Sequence, residues 1–165
     1  MQLPYRKPGK FTSVPIDPIL TQKKYNELQE KLDRLKSSRP HAAREVARLA
    51  ELGDFSENVE YQLAKAKLRR INTSILTLEH RLNQAEVIQT GSQTHTIEIG
   101  HIVTILLNGD AKTYQILGSS ETNPAHGIIS HTSPLGAALI GHSIDDEFKI
   151  RLGNTEATCR IISIE

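Results

Sequence analysis

Asp54, Glu57 and Glu60 put three carboxylates into one short stretch of ELGDFSENVEYQLAKAK, residues 51–67. Two chemistries suit such spacing. The first is local: Asp54 as an N-cap and Glu57 three residues later form a capping box, worth about 1 kcal/mol per cap. The second is cation binding. A helix N-terminus favours anions through its dipole, so carboxylates there stay ionised. Mg²⁺ takes hard oxygen ligands and is often held by one or two protein carboxylates, with phosphates and waters completing the shell. Asp54 and Glu57 would then be half a metal site, completed by another molecule. Capping uses one Asp and one Glu and leaves Glu60 over. Capping and metal binding are compatible, and Glu60 by itself reads equally as a solvated carboxylate.

The elements that carry this cluster are written in the hydrophobic spacing. Tyr25, Leu28, Leu32, Leu35, Ala42, Val46 and Leu49 recur at steps of three and four, with Arg39 in the vacant slot. This is a heptad seam. Pro40 lacks an N–H and crowds the preceding turn, which predicts two helical pieces, 20–38 and 41–52. Gly53 suits a left-handed helix stop. The seam resumes at Tyr61, Ala64, Leu68, Ile71, Ile75, Leu78, Leu82 and Ala85, with no Gly or Pro between Asp54 and Gln89. A helix of roughly 32 residues, about 48 Å long, is expected there. Two seams joined by a short turn run antiparallel. The product is a coiled-coil hairpin whose turn, 52–56, lies far from the chain ends. Its open end should lean on a second domain.

That second domain begins after a polar linker, 89–96. Alternating segments at 97–107 and 112–118 flank Asn108-Gly109-Asp110, a hairpin turn signal. Residues 127–133 read as a further strand, and 134–141 as a short helix opened by Pro134 and closed by Gly141. EFKIRL and ATCRIISIE complete the set. The expected fold is therefore α+β in two domains: an N-terminal antiparallel helical hairpin at 18–88 and a small antiparallel sheet with one short helix at 97–165. Residues 1–17 contain Pro4, Pro8, Pro15 and three basic residues, and read as an extended arm.

Charge is distributed unevenly. Residues 1–16 carry three basic side chains and no acid, 17–88 carry 13 against 11, and 89–165 carry 4 against 8. The front half is the one suited to a phosphate-rich partner. Aromatics make up 4% of the chain, which argues against a large aromatic-lined pocket. With Cys159 as the one cysteine, no internal disulfide or cysteine metal cluster can form. The seven histidines have no zinc spacing, although His126 and His131 could lie close together. There is no phosphate loop or nucleophile elbow. No signal-peptide or membrane-spanning run is visible, so a cytoplasmic protein without membrane contact is expected.

LGDFSENVEYQLAKAK is similar to the G-D-x-x-E-N-x-E-Y signature of the bacterial Gre transcript-cleavage factors. LTQKKYNELQEKLDRLKSSRP resembles the first helix of that family, EVIQ the end of its second helix, and TSPLGAALIGHSIDDEF its C-terminal S-P-x-x-x-A-L-x-G stretch. The resemblance covers 20–165. It departs at Lys24, His142 and Asp145, none of them in the signature. KLRR leans towards the GreB branch, whereas Phe55 and QAEVI lean towards GreA; the branch stays open.

The resemblance implies a monomeric transcription elongation factor, not itself a nuclease. Its hairpin would enter the secondary channel of RNA polymerase, close to nucleic acid and DNA. Asp54 and Glu57 would help hold a Mg²⁺ shared with the polymerase, whose own active site cleaves the backtracked RNA near its 3′ end. Gly53, Asn58 and Tyr61 would support the turn. Arg44, Arg48, Lys65, Lys67, Arg69 and Arg70 read either as a solvated helix face or as a patch for the channel or RNA phosphates. Ser133, Pro134, Leu135 and Gly141 would belong to a polymerase-docking, FKBP-like domain. Its two aromatics, Tyr114 and Phe148, are too few for an isomerase pocket. Two other readings stay open: a secondary-channel binder that inhibits polymerase without promoting cleavage, and a coiled-coil adaptor with an unrelated partner.

Overall fold

The computed structural model describes residues 17–51, 58–88, 95–153 and 155–165. Helix α1 (Gln22–Glu51) and helix α2 (Val59–Asn83) form the hairpin. Leu28, Leu32 and Ala42 from α1 meet Ile71, Ile75, Leu78 and Leu82 from α2 in one buried cluster. Tyr25, Leu35, Leu68 and Ala85 pack along its margin, as the three-four spacing requires. Each fully buried Leu or Ile contributes about 1.5–3 kcal/mol, so this seam dominates the stability of the hairpin.

Two helical expectations are corrected. Pro40 does not divide the first helix; α1 runs through it for 30 residues. The ring removes one backbone hydrogen bond, while seam residues on both sides of it, Leu32 and Ala42, are buried against the same cluster. That shared burial outweighs a cost of about 3 kcal/mol. Pro40 itself faces outward, where the ring meets solvent. The second helix is also shorter than expected, at 25 residues. Its last turn ends at Asn83, and EVI is not helical but forms strand β2 (Glu86–Ile88).

β2 pairs in parallel with β1 (Ile19–Thr21), in the register Leu20 to Val87. This two-stranded ribbon closes the open end of the hairpin and was not visible in the sequence. Leu20, 1% exposed, joins the helical cluster from β1.

The C-terminal domain is a five-stranded sheet in the order β5-β4-β3-β7-β6. Its strands are β3 (Ile102–Leu107), β4 (Asp110–Leu117), β5 (Ile128–Ser130), β6 (Glu147–Leu152) and β7 (Thr155–Ile164). All pairings are antiparallel except β4 with β5. The β3–β4 turn has positive φ at both Asn108 (51°) and Gly109 (95°), the signature of a hairpin turn that matches strand twist. Helix α3 (Pro134–Leu139) covers one sheet face. Leu139 is fully buried there with Val103, Ile105, Ile116, Cys159 and Ile161. Burial pushes the Cys159 thiol pKa up, in keeping with a core role.

Candidate functional site

The antiparallel hairpin puts the end of α1, Glu51, and the start of α2, Val59, at the same end. The opposite end meets the C-terminal domain through β1. At 1.5 Å per residue, α1 spans about 45 Å between these ends. Residues 52–57 connect the two helices at the distal end. Gly53, Asp54 and Glu57 are among them, so the predicted carboxylate pair lies outside the described residues.

What flanks the connection is described. Asn58 has extended backbone (φ −80°, ψ 93°) and is the N-cap of α2, its Oδ1 accepting from the Tyr61 N–H at 3.1 Å. The expected capping role of Asp54 with Glu57 is thereby corrected: the cap of α2 is Asn58. A short polar side chain at this position satisfies an amide that the first helical turn leaves without a carbonyl. Tyr61 also carries Lys65 over its ring, with Nζ 5.6 Å from the centroid. Glu60 is exposed in the first turn of α2.

The six basic residues separate into two groups. Arg48 donates to the Glu45 carboxylate through two nitrogens, at 2.8 and 3.1 Å, and this hydrogen bonding raises the Arg48 pKa. Its charge is partly answered within α1. Arg44, Lys65, Lys67, Arg69 and Arg70 are exposed and make no ion pair among the described residues. The distal half of the hairpin therefore presents positive charge, unpaired among the described residues, near the 52–57 connection.

The docking residues named from the sequence have local duties as well. Ser133 caps α3, accepting from the Gly136 N–H at 3.0 Å and donating to Ser130 O at 2.7 Å. Leu135 packs against the sheet core. Gly141 donates to Ile97 O at 2.9 Å, and Pro134 is exposed. His131 does not meet a second histidine in a metal cluster; its Nδ1 faces the Asp17 carboxylate at 3.5 Å. Among the described residues no group of three or more His, Cys, Asp or Glu could hold a metal. No described helix is long and apolar enough to cross a membrane.

The sequence reading missed the joint between the two domains. Glu121 accepts from the Thr21 N–H at 2.8 Å and from the Thr21 hydroxyl at 2.6 Å. Thr21 Oγ1 in turn accepts from the Lys24 N–H at 3.1 Å, capping α1. Asp17 accepts from the Ser119 N–H at 2.6 Å and from the Ile19 N–H at 3.1 Å. Thr21 ahead of the first heptad was a visible helix-start signal; its partner, 100 positions away, was not.

Residues 18–87 match the family described as transcription elongation factor, N-terminal, and residues 92–165 match transcription elongation factor, GreA/GreB, C-term. Transcription elongation factor GreA of Staphylococcus aureus (strain JH9) is 36% identical over 150 residues, covering 88% of this chain and 95% of that protein. Among solved structures, GreA factor homolog 1 of Thermus thermophilus aligns over 88% of this chain and 97% of its own, at 27% identity and a TM-score of 0.41. A GreA/GreB factor from Nitrosomonas europaea covers 62% of this chain and 91% of its own, at 18% identity and a TM-score of 0.39. The two matched halves and the near full-length relative place the chain in the GreA/GreB family of transcription elongation factors.

Proposed function

We propose that this elongation factor inserts its hairpin into the secondary channel of RNA polymerase and stimulates cleavage of backtracked RNA by the polymerase active site. The observation that carries the reading is that Glu51 and Val59 lie together at the end of the hairpin away from the C-terminal domain, about 45 Å along α1. The stretch of sequence between them contains Asp54 and Glu57. Because Asn58 caps α2, neither carboxylate is needed for that purpose.

Two carboxylates suit a shared Mg²⁺ in their donor chemistry: hard oxygens, too few to complete a shell alone. Bound in the polymerase, Mg²⁺ would supply charge stabilisation for phosphodiester hydrolysis. Asp54 is the metal contact in this proposal, and Glu57 a contact to metal or water. Asn58 and Tyr61 hold the start of α2, so the carboxylates precede a fixed helix end. Arg44, Lys65, Lys67, Arg69 and Arg70 draw the hairpin into an acidic channel or towards RNA phosphates. The protein acts as an activator, a monomer in the cytoplasm, and the isolated chain has no nuclease activity of its own.

A stalled, backtracked transcription complex with labelled RNA tests the proposal. Wild type shortens the RNA from its 3′ end in Mg²⁺, and Asp54→Ala or Glu57→Ala abolishes this while binding to polymerase persists. Wild type that binds but only slows synthesis replaces the proposal with the inhibitor reading. Absence of binding replaces it with the adaptor reading.

A further inference from the structure

The segment entering α1 alternates its faces. Asp17 and Thr21 reach one turn of the C-terminal domain, residues 118–121, with their side chains, and the backbone carbonyl of Ile19 lies against the same turn. Asp17 takes the Ser119 N–H, Thr21 is gripped at two atoms by Glu121, and Gly118 lies against the Ile19 carbonyl. Leu20, between them, points the other way into the helical core. The segment 17–21 is thus a splint, with Asp17 and Thr21 bonded to the C-terminal domain and Leu20 buried in the hairpin.

Glu121 has the most favourable place in this splint. Its carboxylate sits at the N-terminus of a 30-residue helix, where the helix dipole favours negative charge, and both its bonds to Thr21 are charge-assisted. It backs the Thr21 hydroxyl that caps α1. The C-terminal domain therefore supplies part of the cap of the first hairpin helix.

We propose that Glu121 is a positioning residue. Through Thr21 it sets the direction in which α1 leaves the docking domain, and so where residues 52–57 arrive in the polymerase. This rests on the function proposed above. A swing of about 5° at the base moves the far end of a helix of about 45 Å by about 4 Å. Misplacement of about 1 Å in a reacting site can cost about a hundredfold in rate. A swing of that size alters the placement of the far end far more than it alters the surface area the two domains expose for binding.

The test uses spin labels at Ser38→Cys on α1 and Lys112→Cys on β4, both exposed, in the full chain; native Cys159 is buried. Electron–electron distance measurements on wild type give one narrow distribution. Glu121→Ala broadens or shifts it, and Glu121→Gln, which keeps the shape and one acceptor, lies between. In the RNA-shortening assay, Glu121→Ala lowers the rate at saturating factor about tenfold or more, while the half-saturating concentration changes much less. Unchanged distances in both variants overturn the proposal, as does a broadened distribution with an unchanged saturating rate. If wild type does not shorten RNA, the proposed function and the effect on rate fall together. The distances then still decide whether Glu121 orients the hairpin.

Discussion

Gly118 sits so close to the carbonyl oxygen of Ile19 that a Cβ at Gly118 would fall inside its van der Waals contact distance. The atom in the way is backbone, held within β1, so it cannot rotate aside. This contact brings the hairpin base and the C-terminal domain together backbone to backbone and makes the point intolerant of a methyl group.

Gly118→Ala is therefore expected to lose about 1–3 kcal/mol of stability by overpacking. Denaturant unfolding measures it. A variant as stable as wild type would mean that the two domains separate freely at this point.

Asn58→Ala removes the cap of α2 and should cost about 1 kcal/mol, seen as an earlier thermal loss of helix signal. Asp54→Ala should leave that transition in place. Equal losses in the two variants would restore Asp54 to the capping role that Asn58 holds in the structure.

Pro40→Ala supplies the missing N–H inside a helix that already continues through the position. Stability should rise, by up to about 3 kcal/mol, with no change in helix content. A fall in stability would mean that the exposed ring makes contacts worth more than the hydrogen bond.

Arg69 and Arg70 are exposed, without ion pairs among the described residues. Neutralising both should weaken binding to the transcription complex and flatten its dependence on salt. Affinity that stays the same across salt concentrations would return the two residues to a merely solvated face.

Asp17 gives the joint a pH limit. Desolvation acts to raise its pKa, but hydrogen bonds from Ser119 and Ile19 and the nearby His131 outweigh it, so the folded value lies below the ordinary 3.8. For a depressed carboxyl, the linked stability is complete above pH 3.8 and is lost as pH falls through the folded value. Asp17→Asn should be less stable than wild type at neutral pH, with the difference shrinking under acid. Parallel pH profiles would show that the Asp17 charge does not hold the joint.

Much of the architecture was legible because its signals are local. Steps of three and four from Tyr25 to Leu49 and from Tyr61 to Ala85 repeat within one helical face, so the seam needs no knowledge of its partner. Asn108-Gly109 reads as a hairpin turn because its residues tolerate the positive φ they adopt. Ser133 and Pro134 mark the start of α3 within two positions. The acidic cluster at Asp54 and Glu57 was equally visible, and the helix ends at Glu51 and Val59 fix which end of the hairpin it joins.

Other features depended on distant atoms. Whether Pro40 breaks α1 turns on one lost hydrogen bond weighed against burial on α2, and that burial, the stronger of the two effects, exists only once the second helix is in place. The three-residue strands β1 and β2 carry too little pattern to be read alone; each exists because the hairpin brings Leu20 and Val87 side by side. The start of α2 passed from Asp54 to Asn58, since both are competent caps by residue type and only the path of the backbone selects between them. Nothing beside Glu121 in the sequence marks its partner Thr21, which the fold brings to it across 100 positions of chain. Sequence determined which segments are helix, strand and acidic cluster, because those depend on neighbours along the chain. Tertiary structure decided how the hairpin is mounted, because a mounting point is made by residues that meet only after folding.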